Sequence, residues 1–212
     1  MQWIITGIII SYLVGSIPVA YIFGRLLKGI DIRKYGSGNV GATNALRVLG
    51  KGPGIAVLLL DVLKGLIVVT LVGNFVITRV ANVSEEQLRI ALGIFVIIGH
   101  NWTVFLGFKG GKGIATTLGV LVGLACVFRG LTVIILLVVA AWFLIFLLFR
   151  IVSLASMAAA LSLPLCMLLF HRSKTFLATS IILATFVLLR HKANLTRLLQ
   201  GKEPRLSFKK QV

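Results

Sequence analysis

Apolar runs bounded by charged or turn-forming residues fall near 3–27, 53–77, 88–106, 113–128, 131–149, 151–170 and 175–190. A helix needs about 20 mainly apolar residues to cross the hydrocarbon layer, and these runs reach or approach that length. The pattern predicts an all-α integral membrane protein of seven transmembrane helices, some of them short, in one membrane-embedded domain over 1–212. The first run is too long, and too little like a cleavable leader, to be set aside as a signal. Polar stretches at 28–52, 78–87 and 191–212 separate or follow the runs, and no internal repeat is evident.

Composition agrees with this pattern. Of 212 residues, 58% are hydrophobic and 13% charged, and the mean hydropathy is +1.06, which excludes an ordinary soluble globule. Lys and Arg number 22 against five acids, a formal net charge of +17. In a membrane chain that excess points to the lipid surface and to phosphate-bearing substrates rather than to nucleic acid. Cys126 and Cys166 both lie in apolar runs, without the partners that a disulfide framework or a zinc site requires.

The basic residues also set an orientation, because Lys and Arg are retained on the cytoplasmic side. With seven spans, one face collects the basic residues of 25–51, Lys109, Lys112, Arg150 and those of 190–210. The other has only Arg79, Arg89, Arg129, Arg172 and Lys174, with Glu85 and Glu86. The N-terminus is therefore expected outside and the C-terminus in the cytoplasm.

Three unusual polar segments share that cytoplasmic side. In "YGSGNVGATNALRVLG", 35–50, Ser37, Asn39, Thr43 and Asn44 offer hydroxyls and amides. Gly36, Gly38 and Gly41 permit close backbone approach there, and Arg47 offers a bidentate fork. A helix from Ala42 would set Asn44 and Arg47 on one face. The plainer alternative is a polar loop that caps the next helix.

In "GHNWTVFLGFKGGKGIATT", 99–117, the amides of Gly110, Gly111 and Gly113 before a helix near Ile114 suit an anion nest, with Lys112 and Thr116 beside it. A nucleotide loop needs different glycine spacing, a Ser or Thr after the lysine and a preceding strand, so ATP is not expected. An interfacial turn is the simpler reading. His100 stands at the cytoplasmic end of the third run, beside Trp102 as an interfacial anchor.

In "LLRHKANLTRLLQGKEPRLSF", 188–208, Arg190, His191, Asn194 and Arg197 recur at spacings of three and four, one polar face of a helix continuing out of the membrane. Anionic lipid accounts for the charges, but not for His191 and Asn194. Inside the second run, Asp61 and Lys64 are three apart and can satisfy one another. Intramembrane charges also mark sites, so both roles stand.

Together and in this order, "GSIPVAYIFGR", "GSGNVGATN", "DVLKG", "GHNWTVFLGFKGGKGIAT" and "RHKANLTRLLQGKE" resemble the bacterial membrane glycerol-3-phosphate acyltransferases that use acyl phosphate, the PlsY family. Thr103 stands where that family usually has proline and Ile114 where valine is common. The resemblance implies a seven-helix fold in the bacterial cytoplasmic membrane. It implies acyl transfer from acyl phosphate to the 1-hydroxyl of glycerol 3-phosphate, giving lysophosphatidic acid and inorganic phosphate. It also implies a functional link to an acyl-phosphate-forming enzyme, with no cofactor and no metal.

On this reading the glycine loop with Lys112 holds one phosphate, taken as that of the acyl phosphate, while Ser37, Asn39 and Arg47 hold the other. Ser37, Gly38, Asn39, Thr43, Asn44, Asp61, Lys64, His100, Gly110, Gly111, Gly113, Thr116 and Arg190 are the expected binding residues. Arg47, Lys112, His191 and Asn194 are the expected catalytic ones. The proton goes to His191, held by Asn194, or to a phosphate oxygen of a substrate; the resemblance favours the latter. The His-to-Asp spacing of soluble-type glycerophosphate acyltransferases is missing, since Phe105, Phe176 and Thr196 follow the three histidines at the relevant distance. An organic-phosphate or anion transporter is the rival reading.

Overall fold

Proline, glycine and capping residues decide where each apolar run starts and stops being helical. The computed structural model describes residues 1–206, and the elements among them are helices joined by turns. The chain divides into two compact units, Met1–Leu131 and Thr132–Val212.

In the first unit the run expected as one helix is broken. Helix α1, Gln2–Ser16, ends before Ile17–Pro18, and α2 covers Val19–Lys28. Proline lacks a backbone donor and pushes the preceding residue out of the helical region; Ile17 sits at φ −56°, ψ 112°. A 3₁₀ turn, Ile32–Lys34, and the short helix α3, Ala42–Val48, shape the polar loop. Val19, Ala20, Ile32, Val40, Ala45 and Val57 pack into one buried cluster beneath that loop.

Helix α4, Lys51–Ile67, runs through a π-helical stretch, Val68–Val72, into α5, Gly73–Ile77. Helix α6, Glu85–Asn101, starts three residues earlier than its apolar run because Ser84 caps it, accepting from the Gln87 N–H. Arg89, expected as a charge on the outer face, is 2% exposed. Its guanidinium donates to the Val69 carbonyl of the π stretch at 2.6 Å, to Asn74 and to Glu85. The irregular turn leaves carbonyls in need of a donor, and the arginine supplies it.

After α6 a second 3₁₀ turn, Val104–Leu106, leads to the glycine loop and to α7, Ile114–Val127. Within this unit α1 packs along α6, and α4 along α3 and α7.

The second unit holds α8, Thr132–Phe149; α9, Val152–Leu169; α10, Lys174–Arg190; and α11, Lys192–Leu199. Consecutive helices pack against each other, while Leu136, Leu147 and Leu169 remain exposed, as a lipid-facing surface requires. The single polar helix expected through 190–197 is instead two, because α10 and α11 meet at 62°.

By length and composition, five stretches among the described residues are able to cross a membrane, six if α10 and α11 form one bent span. Helix α7 is apolar but has only 14 residues. Cys126 is exposed and Cys166 buried, both as free thiols.

Candidate active site

The first motif is built around Asn44. Its Oδ1 accepts from the Ser37 N–H at 2.8 Å, and its Nδ2 donates to the Ile32 and Tyr35 carbonyls. Asn44 is fully buried, whereas Arg47, expected on the same helix face, is exposed. The amide thus ties the loop to its own helix, and Arg47 is the group that faces outward. Lys28 steadies the far end by donating to the Val48 carbonyl at 2.7 Å, where a helix C-terminus attracts cations. Ser37 is exposed, while Gly38, Asn39 and Thr43 are half-buried. At the loop entrance Arg33 pairs with Asp31 at 2.7 Å and holds that carboxyl down at about 2.

The glycine loop is held from α6. The Gly110 N–H donates to the Asn101 carbonyl at 3.1 Å, and the Gly111 N–H to the His100 carbonyl at 3.0 Å. This corrects the expected nest: an anion cannot draw on those two amides without breaking bonds already made. Lys112 is half-buried, and Gly113 precedes α7 at φ 80°, a left-handed turn that a side chain would strain. Thr116, one turn into α7, is fully buried, and neither its hydroxyl nor the side-chain oxygen of Asn101 finds a hydrogen-bond partner.

The helix break, the loop and the intramembrane charges meet in one place. Lys64 Nζ lies 2.8 Å from Asp61 and donates to the Ile17 carbonyl at 2.6 Å and the Gly15 carbonyl at 3.4 Å. The ion pair read as possible from spacing is therefore formed, and it also caps the end of α1. His100 Nδ1 stands 3.7 Å from the same carboxylate oxygen. Ser16 donates to the Gly99 carbonyl, and Thr103 donates to the Ser16 carbonyl while accepting from the Phe105 N–H. The Thr103 hydroxyl thus turns the chain by bonding.

A small cleft opens between these parts. Ser16, Pro18, Val40, His100, Gly110 and Gly111 are among its lining residues, so the first motif borders it through Val40.

The third motif lies in the second unit. His191 is 2% exposed, and its Nδ1 is 2.8 Å from the Val187 carbonyl. A carbonyl only accepts, so Nδ1 carries the proton and Nε2 is the basic nitrogen of the neutral ring. Arg190 closes α10 and is half-buried.

Asn194 donates to Glu203, as do Ser153 at 2.7 Å and Arg197 at 2.8 Å. Burial alone would raise the Glu203 carboxyl, but the hydrogen bonds from Asn194, Ser153 and Arg197 outweigh it and hold it below the ordinary range. No role was expected of Glu203. The available signal was its place as the lone acid in a basic tail, a charge that needs donors once buried.

The fold defines an integral membrane protein whose buried polar groups sit at the breaks and loops between its helices. The glycerol-3-phosphate acyltransferase family model matches residues 5–201. A glycerol-3-phosphate acyltransferase of Gloeobacter violaceus is 42% identical over 199 residues, 92% of this chain and 91% of that one. One from Thermosynechococcus vestitus is 44% identical over 202 residues, 93% and 92% of the two chains. The crystal structure of PlsY (YgiH), an integral membrane glycerol 3-phosphate acyltransferase, in its glycerol 3-phosphate form superposes with a TM-score of 0.83 at 37% identity. That match covers 96% of each chain. The lysophosphatidic acid form gives 0.80 at 36% identity, over 96% of this chain and 95% of that one. The chain belongs to the glycerol-3-phosphate acyltransferase family.

Proposed function

We propose that this protein transfers a fatty acyl group from acyl phosphate to the 1-hydroxyl of sn-glycerol 3-phosphate. The hydroxyl oxygen bonds to the acyl carbon, the bond from that carbon to the phosphate oxygen breaks, and lysophosphatidic acid and inorganic phosphate leave. The observation that carries this reading is the near full-length similarity to an acyltransferase solved in glycerol 3-phosphate and lysophosphatidic acid forms.

The donor is an activated mixed anhydride, so the protein need only position the acceptor and stabilise charge on the departing phosphate. Lys112 with the start of α7 and Arg47 with Ser37 and Asn39 are the two cradles, one for each substrate phosphate. His191 and Arg190 serve the same chemistry, with a substrate phosphate oxygen as the proton acceptor. The acyl tail lies in the bilayer.

Seven spans, an external N-terminus and a site on the cytoplasmic face of a bacterial inner membrane complete the proposal. The asymmetry of basic residues supports that orientation. The family match lends nothing to the transporter reading.

The test uses purified protein in vesicles. Phosphate release that requires both substrates is expected, whereas glycerol 3-phosphate flux without a donor would refute the enzyme. Lys112→Ala and Arg47→Ala should each fold and lose at least about tenfold in kcat/KM, within the range for one electrostatic contact to a reacting group. Full activity in either sinks that cradle, and the substrate whose KM rises identifies its occupant.

A further inference from the structure

The buried charges in α4 touch both sides of the cleft. Asp61, Lys64 and His100 are 2%, 6% and 8% exposed. Through Lys64, Asp61 reaches the carbonyls of Gly15 and Ile17 at the broken first helix. Through His100, it reaches the glycine loop. The His100 ring lies so close to that loop that a Cβ on Gly111 would overlap its Nε2. One carboxylate oxygen therefore stands between the two walls.

We infer that Asp61 and Lys64 are positioning residues for the acyl transfer, acting through His100. The carboxylate orients the imidazole with Nδ1 toward Asp61 and Nε2 toward Gly111. The imidazole and its backbone carbonyl set where Gly111, and hence the adjacent Lys112, stands. Lys64 holds the helix break against the same oxygen, so the width of the cleft follows from one ion pair. An ion pair needed only for stability would have no reason to face a histidine that seats a loop. This inference rests on the proposal that the loop carrying Lys112 holds a substrate phosphate.

The experiment is a mutant cycle on the full chain in lipid nanodiscs, with melting temperature, kcat and both KM values measured. Asp61→Asn combined with Lys64→Met removes both charges, so neither is left buried and unpaired. It is expected to melt cooperatively and to lose at least about tenfold in kcat/KM, since small misplacement of a catalytic group is that costly. His100→Gln should lose a similar amount. The triple variant should be within about twofold of His100→Gln alone, because groups acting through one another are not additive. Independent losses that multiply, or wild-type turnover in the folded double variant, overturn the inference.

Asp61→Glu keeps a partner for Lys64 while moving the carboxylate. It decides the matter if the double variant fails to fold: a folded protein with a tenfold or greater loss is expected, and near-normal kcat/KM overturns the inference. Lys112→Ala, assayed alongside, reports on the loop itself, so failure of the cradle and failure of the positioning network give different results.

Discussion

Glu203→Gln removes one charge from the junction that anchors α11. The Glu203 side chain is 5% exposed and receives donors from Ser153, Asn194 and Arg197. Hydrogen bonds to a charged acceptor are roughly twice as strong as neutral ones, so neutralisation weakens the Ser153 and Asn194 bonds by about 1 kcal/mol each. Arg197 is 40% exposed and can turn to water, so its share is about 0–1 kcal/mol. The new amide must also aim its NH₂ at a donor.

The sum is a loss of about 2–3 kcal/mol, which at about 2–4 °C per kcal/mol for a chain of this size lowers the melting temperature by roughly 4–12 °C. Thermal melts in one detergent or nanodisc preparation, with activity measured on the same samples, make the comparison. A melting temperature within about 1 °C of the parent would refute the view that Glu203 is an anchoring hub.

Gly111→Ala drives a methyl group into the His100 ring and should abolish at least about nine-tenths of kcat/KM, as loss of geometry at a site does; normal turnover would show that the loop tolerates displacement. Arg89→Leu strands the Val69 carbonyl and Asn74, and should destabilise by about 2–4 kcal/mol with both KM values unchanged, read by melting and kinetics. Acidification should also destabilise. The Glu203 and Asp31 carboxyls are held below their ordinary values, so their contributions are present above the unfolded values near 4 and are lost as pH falls through the folded ones, about 2 for Asp31. The melting temperature of Glu203→Gln should fall less between pH 6 and pH 3 than that of the parent; parallel curves would contradict the shift at Glu203.

Much of the helical architecture is written locally. Apolar runs long enough for a bilayer, Pro18 after Ile17, and Ser84 ahead of a run all act on their own neighbours, which is why run and helix bounds agree to within a few residues. The pair Asp61 and Lys64 was legible for the same reason, since three residues along a helix bring side chains together.

Single-helix readings failed where the signal was periodicity alone. Both 3–27 and 188–199 keep their apolar or polar spacing across a break, and only one of those breaks has a proline to announce it.

The chain alone determined a helical membrane protein, its basic asymmetry and the motifs that align it with its family. Only the tertiary structure decided that Gly110 and Gly111 direct their amides to α6, that Asn44 faces inward, that His100 meets Asp61 and that Glu203 gathers Ser153 from fifty positions away. Helix periods are repeated every few residues and can be read along a sequence. The partner of a buried donor or charge is set by which helices pack together, and in a chain this poor in polar groups each such partner must be found across the fold.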